Sequence, residues 1–125
     1  MIPVQKSIIV VEDDQDAAEM FGEMLRISGF RVLKASGSGP AMTMIDEEQP
    51  AAIILDIMMP DISGLEVLRT MRNDPKLVKI PVIVVSAKCL PTDIKVGLEA
   101  GASVYLTKPV GYLDLKQALE KVLGA

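Results

Sequence analysis

Residues 51–55 read Ala-Ala-Ile-Ile-Leu, an apolar run that the carboxylate of Asp56 follows. Two more runs, Ser-Ile-Ile-Val-Val at 7–11 and Pro-Val-Ile-Val-Val at 81–85, also lack any polar alternation. A strand that is apolar on both faces is buried on both faces, which is typical of a parallel sheet covered by helices. The three runs therefore predict the inner strands of a parallel sheet.

Helical spacing of apolar residues separates these runs. The first such stretch extends from Ala17 to Leu25 and ends before Gly29, a common helix terminator. The weaker strands are predicted at 31–35 and 103–106, and four further helices begin near Ser38, Ser63, Thr92 and Tyr112. Because right-handed crossovers place helices on both faces of one sheet, this order predicts a doubly wound α/β fold of five βα units.

The length and charge of the chain exclude several classes of protein. At 125 residues, we expect positions 1–125 to form a single domain. The 13 Lys and Arg residues against 17 Asp and Glu give a net charge of -4, which predicts no direct nucleic-acid binding. No apolar run approaches the ~18 residues of a membrane span, and the first residues do not resemble a signal peptide. We therefore expect a cytoplasmic protein without membrane contact.

The residue types present also restrict the chemistry. One cysteine, Cys89, predicts no internal disulfide and agrees with a reducing compartment. The chain has no histidine, which excludes histidine bases, histidine metal ligands and Ser-His-Asp triads. The chemistry must therefore depend on carboxylates, hydroxyls and lysines.

Polar residues follow the predicted strands at the points where the strands end. Glu12 and Asp13 follow the first run, Asp56 the third and Ser86 the fourth, and Lys108 comes after the fifth. Because ligands bind outside the carboxyl ends of such a sheet, we expect these side chains to converge on one edge.

Crowded carboxylates at this edge would repel one another unless a cation entered. Lys108 supplies one positive charge, and oxygen ligands without histidine or cysteine favour Mg²⁺ as the second cation. Asp56 is the best placed nucleophile, since aspartate carboxylates can accept a phosphoryl group. Mg²⁺ and Lys108 would neutralise the transferring oxygens, to which the Ser86 hydroxyl could also donate.

Four segments together carry a family resemblance: IIVVEDD at 8–14, LDIMMPDISG at 55–64, VVSA at 84–87 and GASVYLTKP at 101–109. The chain resembles the CheY-like receiver domain of bacterial two-component response regulators over essentially its whole length. This resemblance implies a flavodoxin-like three-layer sandwich with strand order 2-1-3-4-5. It also implies a signalling switch in which Asp56 accepts a phosphoryl group from a partner phosphohistidine in a Mg²⁺-dependent reaction.

The same resemblance implies a metal site. Asp13 and Asp56 would bind Mg²⁺ directly, the backbone carbonyl of Met58 would be a further ligand, and Glu12 would act through water. Mn²⁺ would be a possible substitute, and no residues for an organic cofactor are predicted.

Further roles follow from the resemblance. Lys108 would be the catalytic cation, Ser86 the hydroxyl that moves to the phosphoryl group, and Tyr105 the aromatic residue that changes rotamer. Met58 and Lys88 occupy positions that tune phosphoryl lifetime. The peptide bond between Lys108 and Pro109 is expected to be cis, since X-Pro is the bond for which the cis form costs little.

The resemblance also implies partners. A sensor histidine kinase or a histidine phosphotransfer protein would donate the phosphoryl group, and an effector domain or target protein would receive the signal. The responsive surface would comprise the fourth helix, fifth strand and fifth helix, through which the chain could dimerise. The domain would catalyse its own phosphorylation and dephosphorylation as a signalling device rather than as a turnover enzyme, either alone or within a longer regulator.

Three alternatives remain beside this interpretation. A flavodoxin-like cofactor binder would share the sheet, but acidic residues occupy the loop where a flavin phosphate needs amide donors. A phosphatase with an aspartyl nucleophile would need an acid at position 58, where methionine stands. A phosphorylation-independent interaction module is disfavoured because every position for the chemistry is filled.

Overall fold

The computed structural model describes residues 5–59 and 63–124. Along these residues, five strands alternate with five helices. The strands are β1 (Ser7–Val11), β2 (Arg31–Ala35), β3 (Ala52–Asp56), β4 (Val82–Ser86) and β5 (Val104–Thr107). The helices are α1 (Gln15–Ile27), α2 (Ser38–Glu48), α3 (Gly64–Arg72), α4 (Pro91–Ala100) and α5 (Tyr112–Leu123). Positions 60–62 of the 55–64 motif, residues 1–4 at the start of the chain, and residue 125 lie outside the described residues.

The sheet is parallel and its strand order is β2-β1-β3-β4-β5, which confirms the predicted doubly wound topology. Every residue of β3 and β4 is buried, as their unbroken apolar character predicts. Strands β2 and β5 lie at the edges and are less buried.

Three strands end one residue later than the apolar runs predict. The ladder between β3 and β4 still includes Asp56, which pairs with Val85, and the ladder to β5 still includes Ser86, which pairs with Thr107. Apolar periodicity cannot detect a polar residue that continues a strand. The consequence is functional, because Asp56 and Ser86 lie within the rigid sheet and not on a loop.

The core has two layers, one on each face of the sheet. One face packs against α2 and α3, through side chains such as Ile53 and Leu68, and the other packs against α1 and α5, through side chains such as Ile54 and Phe21. Successive strand residues therefore alternate between the two layers. This arrangement is the three-layer sandwich that the resemblance implies.

The start of α1 divides the acidic residues that follow β1. One carboxylate oxygen of Asp14 accepts hydrogen bonds from the amides of Asp16 and Ala17, at 2.9 and 3.2 Å, and so caps the helix. The amide of Glu12 donates to the carbonyl of Ala35 at 3.0 Å and extends the contact between β1 and β2. Asp14 therefore has a structural role, and Glu12 is held at the edge of the sheet.

No helix among the described residues is long and apolar enough to cross a membrane.

We expect the β3 core to contribute far more stability than the exposed apolar residues of the helices. Replacing Ile54, which is fully buried, with alanine leaves a cavity and should lower the free energy of unfolding by about 2–5 kcal/mol. The same change at Ile27, which is 72% exposed, should alter it by less than about 0.5 kcal/mol. Urea unfolding followed by circular dichroism measures both, and equal losses would contradict this picture of the core.

Candidate functional site

The structure brings the predicted site residues together at the carboxyl edge of the sheet. Glu12 follows β1, Asp56 ends β3, Ser86 ends β4 and Lys108 follows β5. Glu12, Asp56 and Ser86 are buried, with exposures of 3%, 5% and 0%. Asp13 is exposed beside them. The site is therefore an edge cluster that is open on the Asp13 side and buried below it.

The Lys108 ammonium connects the two buried carboxylates. Its Nζ donates to Oε1 of Glu12 at 2.9 Å and to Oδ2 of Asp56 at 3.1 Å. The backbone amide of Lys108 donates to the carbonyl of Ser86 at 2.8 Å, so the β4 terminus positions the lysine. The bond between Lys108 and Pro109 is cis, as expected.

Backbone geometry also orients Asp56. The amide of Met58 donates to Oδ1 of Asp56 at 2.8 Å, while Oδ2 accepts from Lys108. Both carboxylate oxygens are thus fixed by hydrogen bonds to a charged or backbone donor. Met58 is 49% exposed, and Lys88 is exposed on the loop after β4.

The carboxylates suit a divalent cation. One oxygen from each of Glu12, Asp13 and Asp56 can be chosen so that all three lie within 4.8 Å of one another. Within the described part of the chain, Oε2 of Glu12 is buried without a hydrogen-bond partner. A buried carboxylate oxygen without a donor is costly, and a bound ion or its water would satisfy it. An all-oxygen set of this kind fits Mg²⁺.

The buried cluster shifts the titration of its members. Burial raises the pKa of Glu12, the adjacent Asp56 carboxyl raises it further, and together they bring it to about 7 despite Lys108. Burial acts to raise the pKa of Asp56 as well, but the neighbouring Glu12 carboxyl and the Met58 amide outweigh it and lower the pKa. Burial acts to lower the pKa of Lys108, yet its two carboxylate partners raise it. Asp56 and Lys108 are therefore charged at neutral pH.

The loop after β4 links the two predicted switch residues. The hydroxyl oxygen of Ser86 accepts a hydrogen bond from the Lys88 amide at 3.1 Å. The Lys88 carbonyl in turn accepts from Oη of Tyr105 at 2.9 Å. The peptide groups of Lys88 therefore connect Ser86 to Tyr105, a backbone role that a search for functional side chains could not find.

Comparison with known proteins agrees with this geometry. The family described as the response regulator receiver domain matches residues 8–120. The chain belongs to this family.

Two curated relatives of this receiver domain differ in length. The phosphate regulon transcriptional regulatory protein PhoB of Pseudomonas aeruginosa is 36% identical over 120 residues, which are 96% of this chain and 52% of PhoB. The chain thus spans about half the length of PhoB. The polar-differentiation response regulator DivK of Brucella anthropi is 29% identical over 119 residues, covering 95% of this chain and 97% of DivK.

Solved structures show the same receiver fold. A putative response regulator from Chloroflexus aurantiacus has a TM-score of 0.92 at 29% identity and covers 98% of this chain and 100% of its own. The chemotaxis protein CheY4 of Vibrio cholerae shares the fold with a TM-score of 0.89 at 23% identity, covering 96% of this chain and 100% of its own.

Membership places the chain in two-component signalling. Receiver domains work with a histidine kinase and with an effector or target, and they bind Mg²⁺ at an acidic pocket. Glu12, Asp13 and Asp56 form an acidic pocket of this kind. Tyr105 and Ser86 stand at the β4–β5 side of the same edge, and their roles remain predictions.

The raised pKa of Glu12 predicts an unusual pH dependence of stability. Its pKa is about 7 in the folded protein against 4.5 as the ordinary value, so the folded state binds the proton more tightly. The stabilisation of the folded state by this proton is complete below pH 4.5 and is lost as the pH rises through about 7. The free energy of unfolding of the metal-free protein should fall by up to about 3 kcal/mol across this interval.

Glu12→Gln should remove this slope, because the amide does not titrate. Glu47→Gln, at an exposed position of α2, is the matched control and should keep it. Urea unfolding at several pH values in the presence of a chelator measures the slopes, and an unchanged slope in Glu12→Gln would contradict the assignment.

Proposed function

We propose that this receiver domain is a phosphorylation switch in which Asp56 accepts a phosphoryl group from a phosphohistidine of a sensor kinase or phosphotransfer protein. The observation that carries the proposal is the Lys108 ammonium bonded to both Glu12 and Asp56 at the sheet edge. It supports a site built to neutralise negative charge that arrives at Asp56. We further propose that residues 1–125 form one such domain.

The proposed step is an in-line transfer. A carboxylate oxygen of Asp56 forms a bond to phosphorus as the bond from phosphorus to the imidazole nitrogen breaks, and the nitrogen keeps the electron pair. When bound, Mg²⁺ supplies positive charge to the phosphoryl oxygens. Asp13, Asp56 and the Met58 carbonyl would hold it, with Glu12 acting through water, and Mn²⁺ could replace it. Lys108 neutralises further charge from the β5 side.

We propose that the switch works through the hydrogen bonds of the loop between β4 and α4. We infer that the Ser86 side chain rotates to donate its hydroxyl proton to a phosphoryl oxygen, which moves the hydroxyl oxygen away from the Lys88 amide and frees the loop that Tyr105 holds. The change would shift a pre-existing equilibrium of the surface formed by α4, β5 and α5. That surface would then engage an effector domain, a target protein or a second copy of the chain.

Two side chains near Asp56 would set how long the phosphoryl group survives. Met58 is half exposed, its amide bonds to Asp56, and its side chain has no donor with which to orient a hydrolytic water. Lys88, which is exposed, is long enough to approach a phosphoryl oxygen. We propose that both prolong the phosphorylated state.

A small-molecule phosphodonor such as acetyl phosphate should add one phosphate to the protein when Mg²⁺ is present. Asp56→Asn should abolish the adduct because the amide is a poor nucleophile, whereas Asp46→Asn, at an exposed residue of α2, should retain it. Intact mass spectrometry measures the adduct. Its persistence in Asp56→Asn, or in the presence of chelator, would overturn the assignment of Asp56, and the absence of any adduct on the parent would favour a phosphorylation-independent module.

Mg²⁺ should raise the melting temperature, because a ligand that binds only the folded state stabilises it by mass action. Asp13→Ala should abolish this gain. In chelator, the same variant should melt at a higher temperature than the parent, since one of three crowded negative charges is gone. Scanning calorimetry measures both effects, and a lower metal-free melting temperature for Asp13→Ala would contradict the repulsion.

A further inference from the structure

Helix α4 meets the sheet through a glycine. Gly97 is the one residue of α4 that is buried among those described. A Cβ atom at position 97 would lie 2.7 Å from both Cδ2 and Cε2 of the Tyr105 ring, a distance that real Cβ atoms do not show. The ring can therefore occupy its place only because residue 97 has no side chain. Since glycine lowers helix stability relative to alanine, its presence inside α4 calls for such a reason.

Helix α4 cannot easily move away from the ring. Nε of Arg72 donates to the carbonyl of Gly101 at 2.9 Å, directly after α4. Nη1 of Arg72 donates to the carbonyls of Val78 and Ile80, at 3.0 and 2.8 Å. This single guanidinium joins the end of α4 to the segment that precedes β4. A side chain at position 97 would therefore displace the Tyr105 ring before it displaced the helix.

The ring position matters because of what Tyr105 holds. Its Oη donates to the carbonyl of Lys88, whose amide donates to the hydroxyl oxygen of Ser86. A ring displaced from Gly97 would lose the bond to Lys88, and the loop would lose its attachment to β5. The contact at Gly97 is thus the last of a short series of contacts that starts at the phosphoacceptor edge.

We propose that Gly97 is a positioning residue of the switch: by lacking a side chain, it holds Tyr105 where the tyrosine couples α4 to Ser86. A methyl group at this position uncouples the α4 surface from Asp56 and leaves the chemistry at Asp56 intact. The coupling rests on the proposed function, whereas the contact between Gly97 and Tyr105 in the resting protein does not.

Tyrosine fluorescence can report on the contact, because the chain has two tyrosines and no tryptophan. In a Tyr112→Phe background, Tyr105 is the sole emitter. Gly97→Ala should increase acrylamide quenching of this emission, since the ring leaves its half-buried place. Gly39→Ala, a helical glycine with open space at its Cβ position, is the matched control and should leave quenching unchanged. Equal quenching in all three proteins would overturn the proposal.

A double-mutant cycle separates the contact from helix propensity. Gly97→Ala should lower the melting temperature by about 3 °C or more when Tyr105 is present, because the methyl group collides with the ring. In a Tyr105→Ala background the same change should raise it, because alanine favours the helix. The same shift in both backgrounds would show that Gly97 and Tyr105 do not interact, and would overturn the proposal.

Coupling is tested by adding acetyl phosphate and Mg²⁺ to the Tyr112→Phe proteins. The parent should take up phosphate and change its tyrosine emission, whereas Gly97→Ala should take up phosphate at a rate within a few-fold and show no emission change. An emission change of parental size in Gly97→Ala would overturn the coupling. If the parent itself takes up no phosphate, the proposed function fails, while the quenching and melting comparisons still decide the contact.

Discussion

One ammonium group at the end of β5 holds two buried carboxylates at the edge of the sheet. The rest of the site depends on this excess of carboxylates over positive charge. Lys108 can neutralise only one of Glu12 and Asp56, and Asp13 adds a third carboxylate. The buried Oε2 of Glu12 has no donor among the described residues, and burial, together with the adjacent Asp56 carboxyl, raises the pKa of Glu12. Such an arrangement is costly in the resting protein and becomes favourable when further positive charge arrives.

The sheet makes this arrangement possible because it fixes the backbone that carries the charged groups. Asp56 and Ser86 belong to ladders of the central strands, and the Lys108 amide bonds to the Ser86 carbonyl. Repulsion between carboxylates therefore cannot be relieved by moving the main chain. It is relieved by proton uptake, which the raised pKa of Glu12 favours, or by a bound cation.

Much of the fold and of the chemical site could be predicted from sequence because both leave local signals. Unbroken apolar runs such as 51–55 identify buried parallel strands, and polar residues after their ends identify the edge where ligands bind. The connection from Ser86 to Tyr105 through Lys88 has no such signal, since it uses backbone groups. The roles of Gly97 and Arg72 could not be predicted from the sequence either, because they depend on tertiary contacts that apolar periodicity does not reveal.

The same contacts explain why α4 is suited to respond. Its exposed apolar residues Val96 and Leu98 do not contribute to either core layer, whereas Ala100 packs against the layer that also contacts α2 and α3. It is attached at Gly97, through the Tyr105 ring, and at its end, through Arg72. The Arg72 attachment involves no residue of the candidate site, whereas the Tyr105 attachment leads through Lys88 to Ser86. In the proposed switch, a change at Asp56 would reach α4 at Gly97, one turn before the end that Arg72 holds at Gly101, and this favours rotation of the helix about Arg72 over its detachment.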